Sequence, residues 1–102
     1  MASLTIVYWR DIPAQVIVKR GRETAKRQLP ERFQHAIDAA AMRAKLVGTD
    51  AYLNEWRRAE PETCGEDLEA EAASRAAKLE AEYDNARLAA LVGAGGSAAP
   101  RS

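Results

Sequence analysis

One histidine and one cysteine are the side chains best suited to catalysis in this 102-residue chain. His35 lies three residues before Asp38, and a histidine beside a carboxylate is the arrangement of a general base. On a helix this spacing places both side chains on one face, where a surface hydrogen bond is the commoner outcome. Metal binding needs three or four converging ligands, which His35 and Cys64 alone do not supply. We therefore predict neither a catalytic histidine nor a metal site.

Cys64 lies in the sequence TCGED, just ahead of a predicted helix whose N-terminus would lower the pKa of a thiol. Glu66 and Asp67 act in the opposite direction, because nearby carboxylates disfavour a thiolate. A loop cysteine is the favoured interpretation, and a single cysteine cannot form an internal disulfide. The GAGGS near the C-terminus follows a helix and not a strand, so it does not predict a phosphate-binding loop. The chain is thus predicted to be non-enzymatic, with no catalytic residue, metal or cofactor.

Charge is divided unevenly along the chain. The formal net charge is zero, but residues 1–58 carry 11 Lys and Arg against 6 Asp and Glu, and residues 59–102 carry 4 against 9. The basic excess is densest in a cluster formed by Lys19, Arg20, Arg22, Lys26, Arg27 and Arg32. As a nucleic-acid site this cluster lacks interleaved aromatics and a known docking motif. The favoured interpretation is a solvated sheet edge facing the acidic half of the chain, and a nucleic-acid patch is the alternative.

The N-terminal third has the composition of β-strands. The segments LTIVYWR (4–10) and QVIVKR (15–20) are rich in β-branched and aromatic residues and predict a hairpin whose turn contains Pro13. Residues 25–29 alternate in polarity, and Leu29 precedes a proline, so a third short strand is favoured over a helix. The sequence therefore predicts a two- or three-stranded antiparallel sheet.

Three helices are predicted to follow this sheet. Pro30 opens the first, which ends near Gly48 and buries a stripe of Phe33, Ile37, Ala40, Ala41 and Ala44. Thr49 caps a short second helix on which Tyr52, Leu53 and Trp56 share a face. AEPETCG is a predicted loop, and residues 66–92 form one long helix with the stripe Leu68, Ala72, Leu79, Tyr83, Ala86 and Ala90.

These elements predict one α+β domain over residues 1–92 and a flexible tail over residues 93–102. No apolar run reaches the length of about 18 residues that a membrane span needs. The N-terminus lacks the basic region and cleavage site of a signal peptide. We therefore predict a soluble, cytoplasmic protein without membrane contact.

The hairpin carries apolar side chains on both of its faces. Because neighbouring strand residues point in opposite directions, Tyr8 and Trp9 cannot both pack beneath the helices. We predict that Trp9, with Val7 or Ile17 and the adjacent Arg10, faces outward and contacts another protein or a second copy of the chain. The alternative is that both faces are covered within the monomer.

Three segments carry a family resemblance: YWRDIPAQV, LPERFQHAID and YLNEWRR. Together they make residues 4–90 resemble the small bacterial family called the virulence factor domain. The matching positions are Trp9, Arg10, Asp11, Arg32, Phe33, Asp38 and Trp56, for which the resemblance implies a structural role.

The resemblance also implies an accessory function. In the larger conserved virulence factor C proteins, a similar domain accompanies a NifU-like N-terminal domain and HEAT-like repeats. Stand-alone versions lie near genes for folate- and corrinoid-dependent methyl transfer. An interaction module is therefore the leading hypothesis. A small subunit that supplies Arg10, Asp11 or Cys64 to the site of a partner enzyme is a further alternative.

Overall fold

The structure, a computed structural model, describes residues 2–46 and 50–96, apart from the side chain of residue 51. Its elements in chain order are β1 (Ala2–Trp9), β2 (Ile12–Arg20), β3 (Glu23–Gln28), α1 (Glu31–Arg43), α2 (Asp50–Asn54), β4 (Trp56–Arg58), β5 (Glu62–Cys64), α3 (Leu68–Glu82) and α4 (Asn85–Gly93). No helix within the described residues is long and apolar enough to cross a membrane.

The five strands form one antiparallel sheet in which β2 lies between β3 and β1. β4 and β5 both pair with β1, opposite residues 7–9 and 2–4 respectively. The α+β class is as predicted, but the two- or three-stranded sheet followed by three helices is wrong. β4 and β5 come after α1 and α2, and the predicted loop AEPETCG contains β5. Three-residue strands carry almost no sequence signal; they form because the free edge of β1 offers unpaired N–H and C=O groups.

The predicted hairpin and third strand are both present. Leu4 on β1 pairs with Val18 on β2, which in turn pairs with Ala25 on β3. The register of the hairpin shifts between Val7 and Tyr8, where β2 contains one extra residue, Ala14. The carbonyl oxygen of this residue accepts a 3.1 Å hydrogen bond from the backbone N–H of Leu29. The bulge therefore also positions the chain as it passes from β3 to α1.

Strand alternation divides the sheet into two faces. The inner face packs against the helices and buries Ala2, Leu4, Ile6, Val16, Val18 and Ala25. The opposite face, here called the open face, bears Ser3, Thr5, Val7, Gln15, Ile17, Lys19, Thr24, Lys26, Gln28, Arg58 and Thr63. α3 lies across β2 and β3, and α1 packs against α4.

α1 buries nearly the stripe that its sequence predicts, with Phe33, Ile37, Ala40 and Ala41 in the core. It ends at Arg43 and not near Gly48. Lys45 adopts a left-handed backbone with φ of 61°. Its N–H bonds to the carbonyl of Met42, and the next N–H bonds to that of Ala41. This is a Schellman motif with lysine in the position usually held by glycine, which explains why the end was not recognised.

The predicted long helix over residues 66–92 is two helices, α3 and α4. The break falls after Tyr83, whose backbone is not helical. Asp67 and Asp84 cap the two N-termini, each accepting a bond from the N–H three residues on. The change of direction buries Leu88 and Leu91, whereas Ala86 and Ala90 of the predicted stripe are exposed.

The chain after α4 packs back onto the hairpin turn. The N–H of Gly96 bonds to the carbonyl of Leu91, and its own carbonyl accepts a 2.8 Å bond from the N–H of Asp11. Gly95 and Gly96 are buried and have positive φ values of 74° and 97°. Residues 94–96 therefore contact the hairpin turn, and the flexibility of residues 93–102 stays a prediction. Residues 97–102, and the predictions made for Gly48 and Thr49, lie outside the described residues.

Candidate interaction surface

Trp9 lies in the core, with 0% of its surface exposed. Its Nε1 donates a 3.0 Å hydrogen bond to the carbonyl of Tyr52, and the two rings are 5.6 Å apart. A Cβ added to Gly96 would come within 2.7 Å of the indole ring. The prediction that Trp9 faces outward is therefore wrong. α2 and the segment after α4 cover the end of the sheet at Trp9. At the last residue of a strand, alternation therefore does not by itself predict whether the side chain is buried.

Arg10 and Asp11, at the hairpin turn, make contacts within the chain. Arg10 Nε lies 3.1 Å from Glu55 Oε1, and Nη1 donates a 2.9 Å hydrogen bond to the carbonyl of Gly95. Asp11 Oδ1 accepts a 3.1 Å bond from Arg57 Nη2. These contacts connect the turn to β4 and to the chain after α4. They match the structural role that the family resemblance implies.

The open face brings together side chains from two separate predictions, the partner surface and the basic cluster. In register its rows read Thr63–Ser3–Lys19–Thr24, Thr5–Ile17–Lys26 and Arg58–Val7–Gln15–Gln28. These rows contain no Asp or Glu. Within the described residues Lys19, Lys26 and Arg58 form no ion pair. Ile17 is only 4% exposed, so the face presents ammonium, guanidinium, hydroxyl and amide groups over little apolar surface.

Trp56 lies at one corner of this face and is half-buried. Its ring meets that of Tyr52 edge to face, with centroids 6.3 Å apart. Two shallow pockets share Trp56 and Gln15. The first, of about 280 Å³, is lined by Ala14, Gln15, Gln28, Leu29, Glu31, Gln34 and Trp56. The second, of about 480 Å³, is lined by Val7, Gln15, Trp56, Arg57 and Arg58. An amide-rich pocket and a cationic pocket thus share the side chain of Trp56.

The basic cluster divides between the two faces of the sheet. Lys19 and Lys26 lie on the open face, whereas Arg20 and Arg27 belong to the opposite rows. Arg20 bonds to Glu23 and to Glu66 at the start of the acidic half, which raises its pKa. The predicted match between the basic and acidic halves therefore applies to Arg20. Arg22, in the turn after β2, is exposed.

Arg32, the last member of the predicted basic cluster, contacts the C-terminal end of α3. Its guanidinium donates to the carbonyls of Tyr83 and Glu80, at 2.6 and 3.0 Å, and lies over the Phe33 ring. It thus satisfies carbonyl groups at the C-terminal end of α3, where cations are favoured by the helix dipole. These contacts explain why an arginine occupies this family-matching position, and the explanation requires no bound ligand.

His35 and Cys64 are not brought together. His35 is exposed on α1, and Asp38 accepts a 3.0 Å bond from Gln34 and not from the histidine. Cys64 pairs with Ala2 in the sheet and is half-buried. Burial, and then Glu71, Glu66 and Glu62, raise the pKa of its thiol. Within the described residues no group of three potential metal ligands occurs.

The sequence did not predict that Trp56 and Arg58 lie on a strand at the open face. Trp56 was predicted to share a helix face with Tyr52 and Leu53, but α2 ends at Asn54 and Leu53 is exposed. The alternation that places Trp56 and Arg58 on one side and Arg57 on the other is visible in WRR. Over three residues it is too short to predict a strand.

The fold and this surface define a small α+β domain in which helices cover one face of an antiparallel sheet and, on the other face, only the end at Trp9 is covered, by α2 and the segment after α4. The virulence factor family profile matches residues 7–92, so the chain belongs to the virulence factor family. This confirms the resemblance predicted from YWRDIPAQV, LPERFQHAID and YLNEWRR. No curated protein and no solved structure gives a significant match.

Proposed function

We propose that the domain is a non-enzymatic accessory module of the bacterial cytoplasm that binds a macromolecular partner on its open face. The observation that carries this proposal is the composition of that face, where Lys19, Lys26 and Arg58 occur without a carboxylate in the paired rows. Cations without an ion pair attract an anionic partner and steer its approach.

The contacts of the candidate catalytic groups support a non-enzymatic role. Arg10 and Asp11 hold the hairpin turn against Glu55, Gly95 and Arg57. The raised pKa of Cys64 reduces its thiolate fraction at neutral pH, and the thiolate is the reactive form. The partner protein expected from the sequence stays a prediction, and the capture experiment below distinguishes it from a nucleic acid. The buried Trp9 moves its binding site from an apolar strip to the charged open face.

Capture from an extract of the native host tests this proposal. The tagged full chain is compared with Lys26→Glu, on the open face, and with Lys78→Glu, an exposed lysine on α3. Both variants change the charge equally, but only the first lies on the proposed surface. We expect the wild type and Lys78→Glu to retain the same protein or nucleic acid and Lys26→Glu to lose it. Equal retention by all three chains would refute the proposal.

A further inference from the structure

The geometry points to single-stranded nucleic acid as the occupant of the open face, with one unpaired base seated against Trp56. This inference rests on the proposed function, because it names the class of partner that binds that face. It adds a specific base site to what would otherwise be a general electrostatic surface.

Charge complementarity is the first argument. Lys26 lies opposite Ile17, and Lys19 lies one row away on the neighbouring strand. Diagonal neighbours in a sheet are separated by about 7–8 Å, so both lysines project from adjacent positions of the face. Arg58 occupies the far edge, beside Val7. Glu60, the nearest acidic residue along the chain to Arg58, lies outside the paired rows. The cations thus offer a path for a phosphate backbone.

The surroundings of Trp56 are the second argument. Base stacking on an exposed aromatic ring is the recurring contact of single-strand binders, and antiparallel sheets are a recurring platform for it. The amide-rich pocket beside Trp56 contains Gln15, Gln28, Gln34 and Glu31, whose donors and acceptors match the edges of unpaired bases. The second pocket shares Gln15 and Trp56 with the first and also contains Arg58, a cation without an ion pair within the described residues, which matches a phosphate. A base in the first pocket and a phosphate at Arg58 would therefore both lie next to Trp56.

The small apolar area argues against a protein occupant. The core of a protein interface is depleted in charged residues, and lysine is under-represented there. On the open face the central apolar residue, Ile17, is 4% exposed and has Lys26 and Lys19 among its neighbours in the register. Two copies placed face to face would bring like charges together. A duplex would hide the base faces that Trp56 is positioned to contact.

The test measures fluorescence anisotropy of a labelled, mixed-sequence single-stranded RNA of about 12 nucleotides, within the usual site size of such proteins. Its unlabelled duplex, polyglutamate and a mononucleotide serve as competitors. Three phosphate contacts predict a slope of log K against log salt near −2, which is a loss of about 20-fold between 50 and 200 mM salt. We expect the unlabelled single strand to compete far better than the other three.

Variants of the full chain locate the site. We expect Trp56→Ala to weaken binding about tenfold, and Trp56→Phe, which keeps an aromatic ring, to restore most of that loss. Lys26→Gln should weaken binding less and reduce the salt slope by about 0.7, the value for one phosphate contact. Lys78→Gln, on α3, should bind as the wild type does. The unfolding midpoint of each variant is measured in the same buffer, so that a folding defect is recognised.

Three results would overturn the inference. They are wild-type affinity in a folded Trp56→Ala, competition by polyglutamate equal to that of the single strand, and a mononucleotide that competes as well as the polymer. The second result would identify an acidic protein as the occupant, and the third a free nucleotide. If RNA does not bind but Lys26→Glu still loses the partner captured from the extract, the proposed function stands and this inference fails.

Discussion

The two tryptophans occupy cross-strand positions in the same sheet, yet their surroundings differ completely. Trp9 pairs with Trp56 across β1 and β4. Trp9 is covered by Tyr52 and Gly96 and has no exposed surface, whereas Trp56 is half-exposed between two pockets. Strand position is therefore a poor guide to burial at the end of a sheet. What matters there is which helix or chain segment arrives to cover the residue.

Replacing each tryptophan by alanine should give the largest difference between the two positions in the free energy of unfolding. Trp9→Ala removes a fully buried indole and its hydrogen bond to Tyr52, and we expect a loss of about 3–5 kcal/mol in the free energy of unfolding. A loss of that size is a large part of the stability of a domain of this length. Trp56→Ala should cost less, about 1–2 kcal/mol, because its ring is only partly buried. Urea unfolding measures both, and equal losses would show that Trp56 belongs to the core.

Gly96→Ala tests the cover over Trp9. A Cβ at this position meets the indole ring at 2.7 Å, and the backbone has a φ of 97°. Overpacking and the unfavourable backbone should together cost about 1–3 kcal/mol. Gly93→Ala is the matched control, since a Cβ there has no neighbour within 4 Å and the residue ends α4. Thermal unfolding measures the stability of both variants. We expect Gly93→Ala to be neutral or slightly stabilising.

Exchanging valine and threonine compares the two faces of the sheet directly. Val18→Thr places a hydroxyl on the buried inner face and should cost about 1–3 kcal/mol. Thr5→Val makes the reverse change on the open face, where the hydroxyl is half-exposed, and should be nearly neutral. A gain of about 1–3 kcal/mol from Thr5→Val, measured by urea unfolding, would mean that the open face is as dry as the inner one.

The smallest expected effect is on the rate at which the Cys64 thiol is alkylated. Burial and the carboxylates of Glu71, Glu66 and Glu62 raise its pKa, so less thiolate is present at pH 8 than in an unstructured peptide. Alkylation by iodoacetamide should therefore be slower than in the urea-unfolded chain, and the difference should shrink as pH rises through the folded-state pKa. Glu71→Gln should accelerate the reaction because it removes one of these charges. Faster alkylation of the folded wild type would indicate an activated thiol.

The comparison also explains which features the sequence could predict. The hairpin, β3 and the start of α1 follow from local signals, namely β-branched alternation and the proline at position 30. The inner and open positions of Val16, Ile17 and Val18 follow from the same alternation. These features depend on residues close together in the chain.

The features that were missed depend on contacts between distant residues. β4 and β5 exist because β1 has a free edge. The break after Tyr83 depends on the Asp84 cap and on Arg32, which lies about 50 residues away in the chain. The two pockets beside Trp56 require β2, β3, α1 and β4 to meet at one corner. Of the candidate surface, Lys19, Lys26, Val7 and Ile17 were predicted, but Trp56 and Arg58 were not.

The packing of Gly96 against Trp9 limits where a stable fragment of this chain can end. The bond between the Asp11 N–H and the Gly96 carbonyl joins the hairpin turn to the C-terminal end of the described chain. The family match ends at residue 92, four residues before this contact. A fragment cut at residue 92 would keep nearly all of the helices and strands but would lose the cover of an indole ring. It would then present an apolar patch to other molecules and tend to aggregate. The smallest well-behaved unit of this domain is therefore set by the contact with Gly96 and not by the last turn of its last helix.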